Sequence, residues 1–188
     1  MHMNKIFLSC LLLISQIARA SVSEQIEYEY YTVNAAPNRT LLSDINEASP
    51  IHEYGHTFHG HTHWNVSWHF WWHETPGGAC RITEVKTEAT AKIQLPRLVN
   101  ANTQQQAQFD KYIAALRVHE LGHADNGKQA ANEIDRGIMA LPEMPSCTTL
   151  STTANALGRR ILREHNDQDL QYDAATGHGK TQGAVLQN

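Results

Sequence analysis

Three observations predict a single α+β domain. Residues 62–73 place Trp64, Val66, Trp68, Phe70 and Trp72 at every second position, the period of a strand with one apolar face. Residues 103–126 are rich in helix formers and set Tyr112, Leu116, His119 and His123 four, three and four apart, the stripe of a helix that buries one side. A later run, Thr148 to about Leu170, carries Leu157, Ile161 and Leu162 at helical spacing and predicts a second long helix. Strands gathered ahead of helices point to an antiparallel hairpin or sheet packed on those two helices.

The elements follow in chain order. Lys5, the apolar run Ile6 to Ile17 and the small residues of Ala18-Arg19-Ala20 have the layout of a secretory signal cleaved after Ala20. Residues 1–20 are therefore expected to be a signal peptide and 21–188 the domain. Cys10 lies inside the apolar run rather than at its end, which argues against lipid attachment. Neither that run nor any later segment is long and apolar enough to span a membrane. Gln25 to Val33 alternates Ile26, Tyr28 and Tyr30 with Glu27 and Glu29, a half-exposed strand. Thr40 to Ala48 reads as a short helix capped by Thr40. A histidine-rich loop follows, and the Thr62 to His73 strand turns at Pro76-Gly77-Gly78 into a returning strand, Cys80 to Leu95, ended by Pro96.

The helix entered from Asn102-Thr103 is expected to reach at least Asn126, where Asn126-Gly127 ends or bends it, and to resume as far as Met139. Leu141 to Pro145 reads as a rigid connector, and the tail after Gln171 as polar, glycine-rich and frayed at its end.

Charge and cysteines bound the function. Loss of the signal removes Lys5 and Arg19 from 15 basic residues and none of the 19 acidic ones, for a net charge of −6. An acidic domain of this kind offers no nucleic-acid surface. The two cysteines left, Cys80 and Cys147, are expected to pair in the periplasm or outside the cell, closing a loop whose cross-link contributes roughly 4 kcal/mol.

The chemistry is concentrated in His119-Glu120-Leu121-Gly122-His123. On a helix the two histidines project from one face and can share a zinc ion, and Glu120 points to the metal's open side, placed to act as general base. This is the front half of a zincin-like site. A second HExxH, His52-Glu53-Tyr54-Gly55-His56, lacks a helical lead-in and is crossed by Gly55, so it reads as a coincidence within the histidine-rich loop. The histidines at 52, 56, 59, 61, 63, 69 and 73 fit either a weak metal cluster or a solvated loop whose charge rises as pH falls. Trp64, Trp68 and Trp72 are expected in the core or a cleft wall rather than on a sugar platform.

A third ligand must come from beyond His123. A histidine six residues on would complete one common pattern, but that position is Gln129. Glu133, Glu143 and Glu164 are glutamates a following helix or loop offers.

Gly60, Thr62, Trp64 and Trp68, then Cys80, Leu95-Pro96, His119-Glu120, His123 and finally Tyr172-Asp173-x-x-Thr176-x-His178-Gly179 carry a family likeness. In these it resembles the predicted secreted zinc-dependent proteases of bacteria, a domain of unknown function whose activity is inferred from HExxH. The resemblance implies a zinc metallopeptidase fold and export. It also draws attention to the tail: His178, flanked by two glycines, is favoured as third ligand, Asp173 is the alternative or a partner of a ligand imidazole, and Glu164 and His165 stand behind them. Tyr172 is a candidate oxyanion donor. The expected function is hydrolysis of a peptide or protein, cell-envelope substrates included. The other readings are a non-catalytic periplasmic zinc-binding protein and an interaction module with a degenerate site.

Overall fold

The structure, a computed structural model, describes residues 21–53 and 55–186. The expected signal peptide lies outside them. Among the described residues, five strands and three helices run in the order β1 (Ser21–Asn34), α1 (Leu41–Ala48), β2 (Ile51–Glu53), β3 (His56–Phe58), β4 (His61–Glu74), β5 (Cys80–Val99), α2 (Thr103–Met139) and α3 (Cys147–Thr176), with a 3-10 turn at Lys180–Gln182. No described helix is long and apolar enough to cross a membrane.

The main sheet has the order β1-β5-β4. The β4–β5 hairpin is antiparallel as the sequence predicts, but β1 runs parallel to β5, so the sheet is mixed. Along β5, Val85, Thr87, Ala89, Ala91, Ile93 and Leu95 are buried, while Lys86, Glu88 and Lys92 between them are exposed. One face therefore meets the helices and the other meets water. Pro96 does not end β5. It sits within the strand opposite Tyr31, two residues past Gln94, the last residue paired to β4, so its missing N–H costs that side of the ladder nothing.

The alternation expected along β4 holds from Thr62 to Phe70 and then breaks. Trp71 faces Glu84 and Trp72 faces Ile82, leaving Thr83 as an extra residue on β5. Beyond this bulge Trp71 and Trp72 are both exposed, so Trp72 leaves the apolar face assigned to it.

Helix α2 is continuous for 37 residues, with Asn102 and Gln105 forming a capping box at its start. It does not end or bend at Asn126-Gly127. Gly127 serves packing instead: a Cβ there would lie 2.8 Å from the Trp64 ring. Gly158 of α3 receives Trp68 in the same way, where a Cβ would come within 2.6 Å. Both indoles are held by their N–H groups, Trp64 donating to Asp169 (2.9 Å) and Trp68 to Asn155 (3.1 Å). Tryptophans of the sheet thus key into glycine notches on both helices. A buried stripe of Phe109, Tyr112, Leu116, His119, His123, Gly127, Ile134 and Ile138 carries α2 across the sheet.

Cys80, at the start of β5, is bonded to Cys147, at the start of α3, with Cα atoms 5.1 Å apart. Two backbone hydrogen bonds between Cys80 and Met144 lie beside the bridge. The tail is not frayed as far as it is described. Ala184 and Leu186 are buried in the core that holds Leu116, Tyr112 and Ile45.

Candidate metal centre and cleft

The helical HExxH sits midway along α2 on the buried stripe, which explains why His119, Glu120 and His123 are all almost inaccessible. The other copy folds as the β2–β3 hairpin, with Glu53 opposite His56 and His52 Nδ1 3.2 Å from Thr57 Oγ1. Its two histidines lie on different strands and do not share a helical face.

Helix α3 crosses α2 and delivers Asp173 to the histidines. Asp173 Oδ1 lies 3.1 Å from His119 Nε2 and 3.2 Å from His123 Nε2, and the two Nε2 atoms are 3.3 Å apart. His178 joins only through the carboxylate, its Nδ1 3.3 Å from the same Oδ1. Its ring is half exposed, rests against Phe58 and is placed by a left-handed backbone, φ 53°. Among the described residues one other group has the makings of a metal site, Glu74 with Cys80 and Cys147, but both of its thiols are consumed in the disulfide. Of the remaining candidates, Glu133 accepts from buried His165, whose other nitrogen meets Asn126, and Glu164 pairs with Arg160 on the surface. The His165 contacts join α2 to α3, the Arg160–Glu164 pair lies within α3, and neither reaches the cluster.

Each imidazole of the pair is also held from behind. His119 Nδ1 lies 3.0 Å from Gln182 Oε1. His123 Nδ1 lies 3.0 Å from Asp169 Oδ1, close enough for an ion pair although not aligned for a straight hydrogen bond. Asp169 is fixed in turn by Trp64 and by Asn126 Nδ2 (2.9 Å). Burial alone would lower the His123 pKa, but the close contacts and negative charges of Asp169 and Asp173 outweigh it and raise the value to about 10. The same contacts act on the acids. Burial works to raise Asp173 and Asp169, yet bonds to His119 and His123 hold Asp173 far below the carboxylate range, and His123 and Trp64 hold Asp169 down.

Glu120 lies on the other side of the histidines. Its Oε2 accepts from Thr62 Oγ1 at 2.7 Å, tying α2 to the start of β4. Burial raises its pKa against the opposing bond from Thr62. Gly60 makes room for it, since any Cβ there would strike the carboxylate. Tyr172 is placed differently from an oxyanion donor. Its ring stacks on His119 at 5.1 Å, and its hydroxyl donates to the His119 carbonyl (3.2 Å) while accepting from Gln182 (2.9 Å). Gly122 provides the space it occupies.

The cluster opens on a cleft of about 750 Å³, walled on one side by residues 56–62 and on the other by α2, α3 and the tail. His119, Glu120, His123, Asp173 and His178 line it, and Tyr172 does not. Two residues that matter here carried no assigned role in the sequence reading. Asp169 was in principle legible, being four residues before Asp173 on the same helical face. Gln182 had no such signal, because its place depends on how the tail turns back.

The fold and this cluster define an α+β domain presenting two histidines and a carboxylate, suited to holding a metal ion, in an open cleft. The chain belongs to the family described as bacterial protein of unknown function (DUF922), whose model matches residues 28–179. No curated protein and no solved structure matches it.

Proposed function

We propose that the protein is an exported, zincin-like zinc peptidase in which His119, His123 and Asp173 hold the metal. The observation that carries this reading is the spacing of the three ligand atoms. Atoms about 2.0–2.1 Å from a tetrahedral zinc ion lie about 3.3 Å from one another. The three pairs here are 3.1, 3.2 and 3.3 Å apart. Two imidazoles and one carboxylate form a donor set zinc favours, and leave one position open. The Cys80–Cys147 bridge and the apolar segment at residues 6–17 support export, to the periplasm or beyond.

A zinc ion bound there supplies Lewis acidity, lowering the pKa of water and polarising a carbonyl oxygen. The chain's own residues do the rest. Glu120, buried and raised in pKa, takes the proton of the attacking water and returns it to the leaving amine. Thr62 fixes the carboxylate for that transfer. Asp169 orients His123, as carboxylates behind ligand histidines commonly do. Strand β4 is an edge of its sheet and begins beside Thr62, so an extended peptide can add to that edge as it enters the cleft. The substrate class is accordingly a peptide or protein, cell-envelope peptides included.

Glu120→Gln tests the reading. It is expected to retain stoichiometric zinc and the fold while losing hydrolysis of a peptide or cell-envelope library by a factor on the order of 10² to 10⁴. If zinc-loaded wild type cleaves nothing in such a library, the protein is a zinc binder and not a peptidase.

A further inference from the structure

A closed circuit of hydrogen bonds joins His119 to the tail, and its polarity can be read from one end to the other. The starting point is the His119 carbonyl, which can only accept. Tyr172 Oη, 3.2 Å away, must therefore donate its one proton there. The Tyr172 oxygen is then left as acceptor for Gln182 Nε2 at 2.9 Å. That fixes the orientation of the amide, so Gln182 Oε1 faces His119 Nδ1 at 3.0 Å as an acceptor. Nδ1 must consequently carry a proton. The nitrogen directed at Asp173 and His123 is Nε2.

We infer that Gln182 is a positioning residue that dictates which nitrogen of His119 is offered to a metal ion, and that the segment 179–186 is the clasp that puts it there. The inference rests on the reading of His119 as a ligand. The nearest competing acceptor, Thr176 Oγ1, is 3.5 Å from Nδ1 and spends its own proton on the Tyr172 carbonyl (2.8 Å), so it agrees in polarity but is too distant to substitute.

The local chain explains how an exposed glutamine can be held. Gly177, His178 and Gly179 all have left-handed backbones, which reverses the chain sharply after α3. Gly179 is buried directly against His119, where a Cβ would lie 3.1 Å from the side chain. Its carbonyl accepts from Ala184 N (3.0 Å), and Ala184 and Leu186 anchor the far end in the core. Gln182 is thus suspended between two fixed points, with both ends of its amide engaged.

Two readouts test this. In metal-free protein labelled with ¹⁵N-histidine, long-range proton–nitrogen spectra are expected to show His119 with a proton on Nδ1 that exchanges slowly with water. Gln182→Leu should make that proton exchange fast with water, and should weaken zinc binding by roughly 10- to 100-fold. Gln182→Glu, which keeps an oxygen for Nδ1 but cannot donate to Tyr172, should recover most of the protection and affinity; loss of both in the Glu variant as in the Leu variant would overturn the assignment. Unchanged protection and affinity in Gln182→Leu would also overturn it. Wild type that shows the protected Nδ1 proton but binds no zinc would instead sink the metal reading and leave the tautomer assignment standing.

Discussion

Asp173 Oδ1 receives three imidazoles, and the metal-free and zinc-bound forms should use that oxygen in opposite ways. With zinc, Asp173→Asn is expected to weaken binding by more than His178→Ala does, because His178 reaches the cluster only through the carboxylate. Competitive titration against a chelator measures both, and a larger loss in His178→Ala would make the histidine the ligand. Without zinc, protons take over. His123 is raised from 6.5 to about 10, so the folded state binds that proton more tightly than the unfolded chain. The stability this contributes is complete below about 6.5 and is lost as pH rises through about 10. Asp173 and Asp169 are lowered from 3.8, so their contribution is present above that value and lost as pH falls through their depressed range. Glu120, raised by burial, acts in the same sense as His123, while His59, lowered by burial, opposes it. Metal-free protein should therefore melt highest between about pH 4 and 6.5 and progressively lower toward pH 10. A melting temperature flat from pH 6 to 10 in the presence of chelator would rule out the charged cluster. Zinc affinity should run the other way, rising with pH as the competing proton is lost.

The glycine notches are the point at which element-level packing overrides local preference. Gly158→Ala gains roughly 1 kcal/mol of helix propensity but drives a Cβ to within 2.6–2.9 Å of three atoms of the Trp68 ring, which its bond to Asn155 keeps from moving away. Overpacking of this kind costs about 1–3 kcal/mol, so a net loss of stability is expected in denaturant unfolding. An alanine variant as stable as wild type would show that the indole is free to shift. The same competition explains what the sequence conceals. Alternation in β4 and the stripe of α2 are strong periodic signals, and both elements lie close to where they are expected. Gly127 resembles a helix end because a sequence shows the missing side chain but not the tryptophan that replaces it. Pro96 resembles a strand end because the sequence does not say that β4 has already stopped. His119 and His123 are legible as a pair since four residues of helix suffice to join them, whereas Asp173, Asp169 and Gln182 depend on the angle at which α3 crosses α2 and on three left-handed residues in succession.

Across the whole molecule, the disulfide and the cluster are separate fastenings at the two ends of α3. Cys80–Cys147 closes a separation of 67 residues and binds the sheet to the start of α3, while Asp169 and Asp173 near the end of α3 bind to α2. Replacing both cysteines by alanine is expected to cost about 4 kcal/mol on the chain-entropy account. Zinc stoichiometry at low temperature should be preserved, because the bridge lies at the opposite end of α3. Loss of zinc binding in a still-folded double variant would show that the two fastenings are coupled. The placement of the ligands also orders events in time. Asp173 is made 50 residues after His123, and Gln182 63 residues after His119. A growing chain therefore displays HExxH long before it possesses the carboxylate or the amide, and any polypeptide interrupted ahead of residue 173 carries a pair of histidines with nothing to close them. Ripening of the centre is therefore deferred until synthesis has passed that point.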